Sequence, residues 1–272
     1  MTDNARSAIY DDVEKMVGEF VANAETELQA RCDAWKLDVA DREAHEVIGS
    51  LLARQVTLAI QIARNPLIWN GHAAPVLLRA MADVYISLAW IFGDPDDRSR
   101  KFILYGLGQL KLHLERRKAL RGDDPPDPRE EMLIKHEEGW MESQRISILT
   151  DVDFGSWSDL NTRKMADEAG CLDFYEQVYV PFSGAAHSMW QHVGRYNTKT
   201  CINPLHRVHR VPDIPDTGID PDYLHLAAKY MRKTFALFDE KTGIKVAAPS
   251  AYQVLEERFA EFAVKEKGNK SE

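Results

Sequence analysis

A chain of 272 residues with 44% hydrophobic and 28% charged residues is long enough to bury a substantial core and is ordinary for a globular protein. Its net charge of −9 argues against non-specific binding of nucleic acid, because a phosphate backbone prefers a basic surface. Three isolated cysteines with no C-x-x-C pair indicate neither a disulfide framework nor a cysteine-based zinc site, as expected in a reducing cytoplasm.

The N-terminal sequence is acidic and lacks the apolar stretch of a secretion signal, so we expect a cytoplasmic protein. The charge is unevenly distributed along the chain. Residues 98–121 and 195–210 are basic, so the protein can have local basic patches although its net charge is negative.

The apolar spacing is helical along almost the whole chain, and prolines mark most of the breaks. It predicts an all-α fold, a single helical bundle of about seven to nine helices over residues 1–266, with a frayed tail at 267–272. Residues 198–219 form the longest irregular stretch, and we find no convincing strand pair anywhere in the chain. The predicted helices cover about 5–36, 42–64, 74–92, 98–121, 128–148, 158–170, 172–197 and 220–243, and a last one begins at the capping sequence "SAYQ", residues 250–253.

Residues 74–92 resemble a membrane span in apolar length, but they contain Arg79 and Asp83, and we predict a buried core helix with no membrane partner. Arg79, Asp83 and Ser87 are spaced by four residues and so form one narrow polar stripe on an otherwise apolar helix. A buried guanidinium is costly without partners, so Arg79 requires acceptors from a second element.

The segment "YVPFSGAAHSMW", residues 179–190, offers a second stripe of the same pitch, formed by Tyr179, Ser183 and His187. We predict that the two stripes face each other across the core, where the small residues beside Ser183 allow close helix approach. Pro181 either kinks this helix or begins a new one at its first turn.

Two interpretations of this cluster stay open. In the first, it is a structural clamp that fixes helix register. In the second, it is a site with Arg79, Asp83, Ser183 and His187 as catalytic candidates, in which arginine binds an anion and histidine transfers a proton. A hydrolase in which Ser183 is the nucleophile is disfavoured, because the chain has no G-x-S-x-G elbow around it.

Tyr105 and His113 belong to a third stripe, on the predicted helix 98–121. They are candidate ligand-binding residues together with Tyr179 if that helix packs beside 74–92, as consecutive elements usually do. The alternative is that the third stripe is a solvated face.

The histidine spacings give no metal site and no cofactor is implied. His187 and His192 diverge by more than a turn, and His206 and His209 lie in an irregular basic loop with no nearby carboxylate. The loop sequence "LHRVHR" is typical of an anion- or RNA-contacting loop or of plain solvent exposure.

An ordered series of motifs resembles a widespread bacterial family of all-helical proteins of unknown function. The series is R-x-x-x-[ED] on an apolar helix, a tyrosine on the next helix, and then Y-x-x-x-Y-x-x-x-S-x-x-x-H, over about residues 74–197. Asp83 stands where the family more often has glutamate, and its shorter reach disfavours a direct contact with His187. The resemblance implies that a shared polar cluster consists of Arg79, Asp83, Tyr105, Tyr175, Tyr179, Ser183 and His187.

A looser resemblance is to the HEPN helical ribonucleases of toxin and phage-defence systems, whose active sites combine an arginine and a histidine on one helix. Arg129 and His136 have that spacing, but their surroundings are acidic and would repel RNA phosphate. Arg79 and His187 would supply the same chemistry from two helices.

Two functional classes therefore stay open. The chain is either a stress or phage-defence effector that binds or cleaves an RNA or nucleotide ligand, or a non-catalytic helical interaction module. An enzyme of this kind would be a metal-independent, ribonuclease-like hydrolase or another hydrolase, and a homodimer is compatible with either class.

Overall fold

The computed structural model describes residues 3–38, 41–121, 125, 127–144 and 158–269, with side chains from residue 11 to residue 262 of these ranges. The helices are α1 (Asp3–Ala34), α2 (Arg42–Ala63), α3 (Ala74–Ile91), α4 (Pro95–Arg121), α5 (Pro128–Ser143), α6 (Thr162–Glu168), α7 (Leu172–Phe174), α8 (Val180–Ala186), α9 (Trp190–Tyr196), α10 (Asp222–Thr242) and α11 (Ala251–Asn269). A 3₁₀ turn covers Pro66–Ile68, and a π turn, Tyr175–Tyr179, joins α7 to α8.

The all-α prediction is confirmed. With the continuous run 172–186 counted once, the described residues form ten helices, against the predicted seven to nine. The difference arises because the helix predicted over 172–197 ends at Ala186 and restarts at Trp190. The predicted single domain over 1–266 stays a prediction.

The core is built around α2, α3 and α10, which pack against one another, while α1 and α11 pack together beside α2 and α10. Most of α3 is buried, as its apolar sequence predicts. The largest side chains that are fully buried in this core include Phe20, Leu52, Leu78, Phe235 and Phe238. The helix that carries Arg79 is therefore held by apolar packing on several sides.

Two helices, α2 and α3, have the length and hydropathy of a membrane span. In the most apolar window of each, 61% and 67% of the residues respectively are buried inside the protein. The core helices of globular proteins pass the same test, so these two give weak support for a membrane span.

A second layer covers the side of α3 that faces away from the main core. Tyr85, Ile86 and Trp90 of α3 pack there against Met165 of α6 and Cys171. The α6 helix begins at Asn161, whose side chain accepts a hydrogen bond from the Lys164 amide at 3.0 Å. This layer continues into the π turn and α8, and it thereby brings the second polar stripe over α3.

A short hairpin interrupts the helices. Strands β1 (Thr198–Thr200) and β2 (Arg210–Pro212) pair antiparallel, with Lys199 opposite Val211. The prediction of no strand pair is wrong here, because the strands are too short and too polar to show apolar alternation. Polar contacts hold them instead, such as the 2.8 Å pair between Lys199 Nζ and Asp213 Oδ1.

A buried ion cluster joins α1, α10 and α11, and we call it the Arg31 cluster. Arg31 Nε and Nη2 donate to the two carboxylate oxygens of Asp239 at 2.8 and 2.7 Å, and Nη1 donates to the carbonyl of Glu27. The Glu27 carboxylate in turn accepts from the Ala251 amide at 2.9 Å, which caps α11. The predicted Ser250 cap is a weaker contact, with its hydroxyl 3.5 Å from the Gln253 amide.

Candidate functional site

The two polar stripes meet between α3 and α8, as predicted. Arg79 Nε donates to Ser183 Oγ at 2.8 Å, and Nη1 donates to Asp83 Oδ2. The guanidinium carbon lies 3.2 Å from the centre of the Tyr179 ring, a cation–π contact. We call Arg79, Asp83, Tyr179, Ser183 and His187 the Arg79 cluster. His187 is included because its charge acts on the Asp83 carboxylate, although no direct contact joins it to the other four among the described residues.

The π turn before Pro181 places the tyrosines of this cluster. Proline lacks an amide donor, and its ring would clash with the carbonyl four residues earlier in a regular α-helix. A wider turn relieves that clash, and the Val180 amide bonds to the Tyr175 carbonyl five residues back. The Tyr175 and Tyr179 rings stack with centroids 4.7 Å apart. Tyr179 is further fixed by its hydroxyl, which donates to Thr162 Oγ1 at 3.1 Å.

The Ser183 hydroxyl makes two hydrogen bonds within the cluster, one as acceptor and one as donor. It accepts the hydrogen bond from Arg79 and donates to the Tyr179 carbonyl at 2.7 Å. Its proton therefore points at the backbone of its own helix. In this arrangement Ser183 positions the guanidinium.

His187 lies at the surface, immediately after α8. The helix ends there in a Schellman turn, in which the Met189 amide donates to the Gly184 carbonyl at 2.9 Å. Ser188 occupies the left-handed position with φ +49°, which costs a residue other than glycine about 1–2 kcal/mol. This turn directs the chain sharply away after His187 and keeps the imidazole exposed.

The cluster is closed towards the core and open towards solvent. The Arg79 side chain is 11% exposed, whereas that of Asp83 is 47% exposed. Partial burial raises the pKa of Asp83, and the charges of Arg79 and His187 and the Arg79 hydrogen bond oppose that rise. Among the described residues no hydrogen bond uses Arg79 Nη2. The guanidinium is thus fixed through Nε and Nη1, and Nη2 is left to bind another acceptor.

Residues 45–201 match the family of unknown function DUF5677. The chain belongs to this family. The match covers more than half of the chain and includes the whole Arg79 cluster as well as the predicted range 74–197. No curated protein and no solved structure matches the chain, so nothing in these comparisons connects it with the HEPN ribonucleases.

The two candidates on α4 are not part of the Arg79 cluster among the described residues. The premise that α4 packs beside α3 is wrong, because α4 lies mainly along α2. His113 is exposed and its Nε2 lies 3.2 Å from Arg117 Nη2 on the same helix. Tyr105 is half-buried, and the structure records no ring contact or hydrogen bond between it and the cluster. Their role in ligand binding stays a prediction without support from this geometry.

Sequence reasoning missed a histidine pair that joins the start of α3 to α9. His72, just before α3, and His192 on α9 have ring centroids 5.6 Å apart, and Tyr196 packs against both. Burial and the charge of His72 lower the pKa of His192. His72 lies in the loop between α2 and α3, and the sequence does not predict the conformation of this loop. No residue spacing could therefore predict that His72 contacts His192.

A second missed group lies in the hairpin loop. Cys201, His206 and His209 bring their potential ligand atoms within 4.8 Å of one another. The sequence showed His206 and His209 only as part of a basic loop. Cys201 joins them because the strands β1 and β2 close the loop at its base.

Proposed function

We propose that the Arg79 cluster binds a phosphate group of an RNA or nucleotide ligand and that His187 transfers a proton during cleavage of a phosphodiester. A single observation carries this proposal: the Arg79 guanidinium is fixed from the core side by Ser183 and bound to a half-exposed carboxylate, Asp83, on which the charge of the surface imidazole of His187 also acts. Such an activity suits a stress or phage-defence effector.

Each side chain has a distinct part in the proposed reaction. His187 removes the proton of a ribose 2′-hydroxyl, whose oxygen attacks the adjacent phosphorus. Arg79 stabilises the negative charge of the phosphorane through Nη2. The 5′-oxygen leaves and takes a proton, which gives a 2′,3′-cyclic phosphate and a 5′-hydroxyl end. No step requires a metal ion.

Asp83 has a positioning part and also limits the anion affinity of the cluster. It holds Nη1 of Arg79 through the hydrogen bond, and its negative charge lies within electrostatic reach of His187. The same charge repels a phosphate. We therefore expect the cluster to bind the phosphate of the substrate weakly. It should bind the phosphorane transition state more tightly, because Arg79 then faces an additional negative charge.

The experiment is an RNA cleavage assay in the presence of EDTA, with end-group analysis for the 2′,3′-cyclic phosphate. We expect Arg79→Lys to lower the rate by about 10²–10³, because lysine lacks the fork of donors. His187→Ala should lower it by about 10²–10⁴ as the proton-transfer group is lost. The melting temperature of each variant shows whether the fold is kept.

His136→Ala is the matched control, since His136 is an exposed histidine on α5 and belongs to the alternative one-helix motif with Arg129. Its rate should equal that of the wild type. If His136→Ala abolishes cleavage while His187→Ala does not, the assignment to the Arg79 cluster is overturned. The absence of any cleavage by the wild type across a panel of RNAs also overturns it.

A structural clamp is the second candidate, and one observation favours it. Every contact of Arg79 that the structure describes is internal, to Asp83, Tyr179 and Ser183. In a non-catalytic interaction module, Arg79 variants would lower stability, and the His187 variant would change neither stability nor any activity. The paired assay and melting measurements above separate the two candidates.

A further inference from the structure

The loop between β1 and β2 gathers three side chains that are typical metal ligands. The thiol of Cys201 lies 3.7 Å from Nδ1 of His206, and the rings of His206 and His209 have centroids 5.4 Å apart. We propose that Cys201, His206 and His209 form a Zn²⁺ site, which we call the hairpin site. It is independent of the function proposed for the Arg79 cluster.

The distances fit zinc after a small movement. In a tetrahedral site with Zn–S and Zn–N bonds of roughly 2.3 and 2.1 Å, a sulfur and a nitrogen ligand lie about 3.6 Å apart. The Cys201–His206 distance already has this value. The potential ligand atoms all lie within 4.8 Å of one another, so closing the group requires a contraction of at most about 1 Å, which rotation of the side chains can supply.

The donor set selects the kind of metal. One thiolate and two imidazoles suit zinc and related borderline-soft ions, whereas magnesium and calcium require oxygen ligands. The carboxylate of Asp213 lies at the other end of the hairpin and is engaged with Lys199. Three protein ligands leave the fourth position of a zinc ion to water or to a ligand from a partner.

Backbone hydrogen bonds hold the three residues in register. The Cys201 amide donates to the His209 carbonyl at 2.9 Å and so extends the strand pairing by one step. The His209 amide donates to the His206 carbonyl at 3.2 Å, which closes a tight turn. Within that turn Val208 has φ +55°, a conformation that a β-branched residue rarely adopts.

Apolar packing does not stabilise this conformation. The side chains of Ile202 and Val208 are 98% and 97% exposed, and that of Leu205 is 87% exposed. A two-stranded hairpin alone is marginally stable in water. Zinc would cross-link its two ends, and the binding free energy would then order the loop.

Asn203 gives the site a distinctive property. Its Oδ1 accepts from the Leu205 amide at 3.0 Å, so its NH₂ group faces Nε2 of His206 at 3.3 Å. Nε2 must then be the acceptor, and the ring proton lies on Nδ1, towards the thiol. Zinc bound at Nδ1 moves that proton to Nε2, where an NH₂ group cannot accept it. Asn203 therefore weakens the site, and a carboxylate at this position would strengthen it.

The test titrates the full-length protein with Zn²⁺ against a chromophoric chelator and, separately, with Co²⁺. We expect one zinc ion per chain, and a Co²⁺ spectrum with a thiolate charge-transfer band and intense visible bands of tetrahedral coordination. Cys201→Ser and His206→Ala should each weaken binding by at least about 100-fold, more than the loss of an outer-shell partner usually costs. Cys32→Ser, at an exposed free cysteine on α1, is the matched control and should bind as the wild type does.

Asn203→Asp should bind zinc about 10–100-fold more tightly, the usual scale for a partner of a ligating histidine. A purely adventitious surface thiol would not respond to this change. The proposal is overturned if Cys201→Ser binds as tightly as Cys32→Ser, if the Co²⁺ spectrum lacks the thiolate band, or if Asn203→Asp leaves the affinity unchanged. Circular dichroism of each variant confirms that the helices are retained.

Discussion

The Arg31 and Arg79 clusters each contain an arginine, a carboxylate and an aromatic ring, and they differ in how far the carboxylate is exposed to solvent. Each arginine lies on a long helix with a carboxylate residue one turn away and an aromatic ring against its guanidinium, Phe235 for Arg31 and Tyr179 for Arg79. In the Arg31 cluster the local carboxylate, Glu27, is buried and caps another helix. In the Arg79 cluster the corresponding carboxylate, Asp83, is half-exposed.

The difference shows how burial separates a structural cluster from a candidate site. A second carboxylate, Asp239, accepts from Nε and Nη2 of Arg31, and the Glu27 carbonyl accepts from Nη1, so every guanidinium nitrogen already has an internal acceptor. No second carboxylate reaches Arg79 among the described residues. The first cluster links helices that are distant in sequence, and the second leaves a fixed positive group near the surface.

The largest expected effect is the loss of Arg31. Arg31→Ala leaves the buried Glu27 without a positive partner and removes the bidentate contact to Asp239, and we expect about 3–5 kcal/mol lower free energy of unfolding. Urea denaturation monitored by circular dichroism measures this. A loss below about 1 kcal/mol, typical of an exposed pair, would show that the cluster is not closed.

The corresponding change in the other cluster should cost less. Arg79→Ala removes the ring contact and the packing of the aliphatic stem, but water can reach Asp83, and Ser183 keeps its acceptor. We expect a loss of about 1–2 kcal/mol in the same denaturation experiment. If Arg79→Ala destabilises the protein as much as Arg31→Ala does, the two clusters are equivalent clamps and the contrast between them disappears.

Asp83→Asn should change stability by less than about 1 kcal/mol. Because the folded-state pKa of Asp83 is raised, the native state binds its proton more readily than the unfolded state does. The free energy of unfolding should therefore fall as the pH rises through the window just above the ordinary value of 3.8, and the ionised carboxylate costs stability at neutral pH. Denaturation curves across this range should lose that contribution in Asp83→Asn. An unchanged pH profile would contradict the partial burial of the group.

The smallest expected effect on stability is that of His187→Ala, within about 0.5 kcal/mol, because the side chain is exposed. For this variant, the free energy of unfolding and the rate of RNA cleavage should be measured on the same sample, because the two results together separate a site from a clamp. A loss of activity with unchanged stability marks the open cluster as functional. A large loss of stability would instead show that His187 has a structural role within the Arg79 cluster.

Much of the Arg79 cluster could be predicted from the sequence, because its members form two four-residue stripes on strongly apolar segments. Desolvation then dictates that Arg79 must meet Ser183 or a similar acceptor. The Arg31 cluster could not be predicted in this way, since α1 is an ordinary amphipathic helix. Its partner Asp239 lies 208 residues further along the chain, where no pattern marks it.

Two other failures have the same physical origin. Tyr105 and His113 were assigned to the cluster through an assumed packing of consecutive helices, and α4 instead follows α2. The grouping of Cys201 with His209 depends on backbone pairing between short polar strands, which carry no periodic signal. Local spacing predicts which residues share a face of one element, whereas contacts between elements depend on how the chain packs.

The π turn at Tyr175–Tyr179 amounts to one residue inserted into an otherwise regular helix. Removal of a single residue within it would impose ordinary α-helical pairing and bring back the clash with the Pro181 ring. Everything before the deletion would also rotate by about 100° relative to Ser183. The Tyr175 ring would then leave the stack under Tyr179, and α6 would lose its register against the cluster. The helix therefore tolerates substitutions in this turn far better than a change in length, because a chain one residue shorter here would no longer build the site.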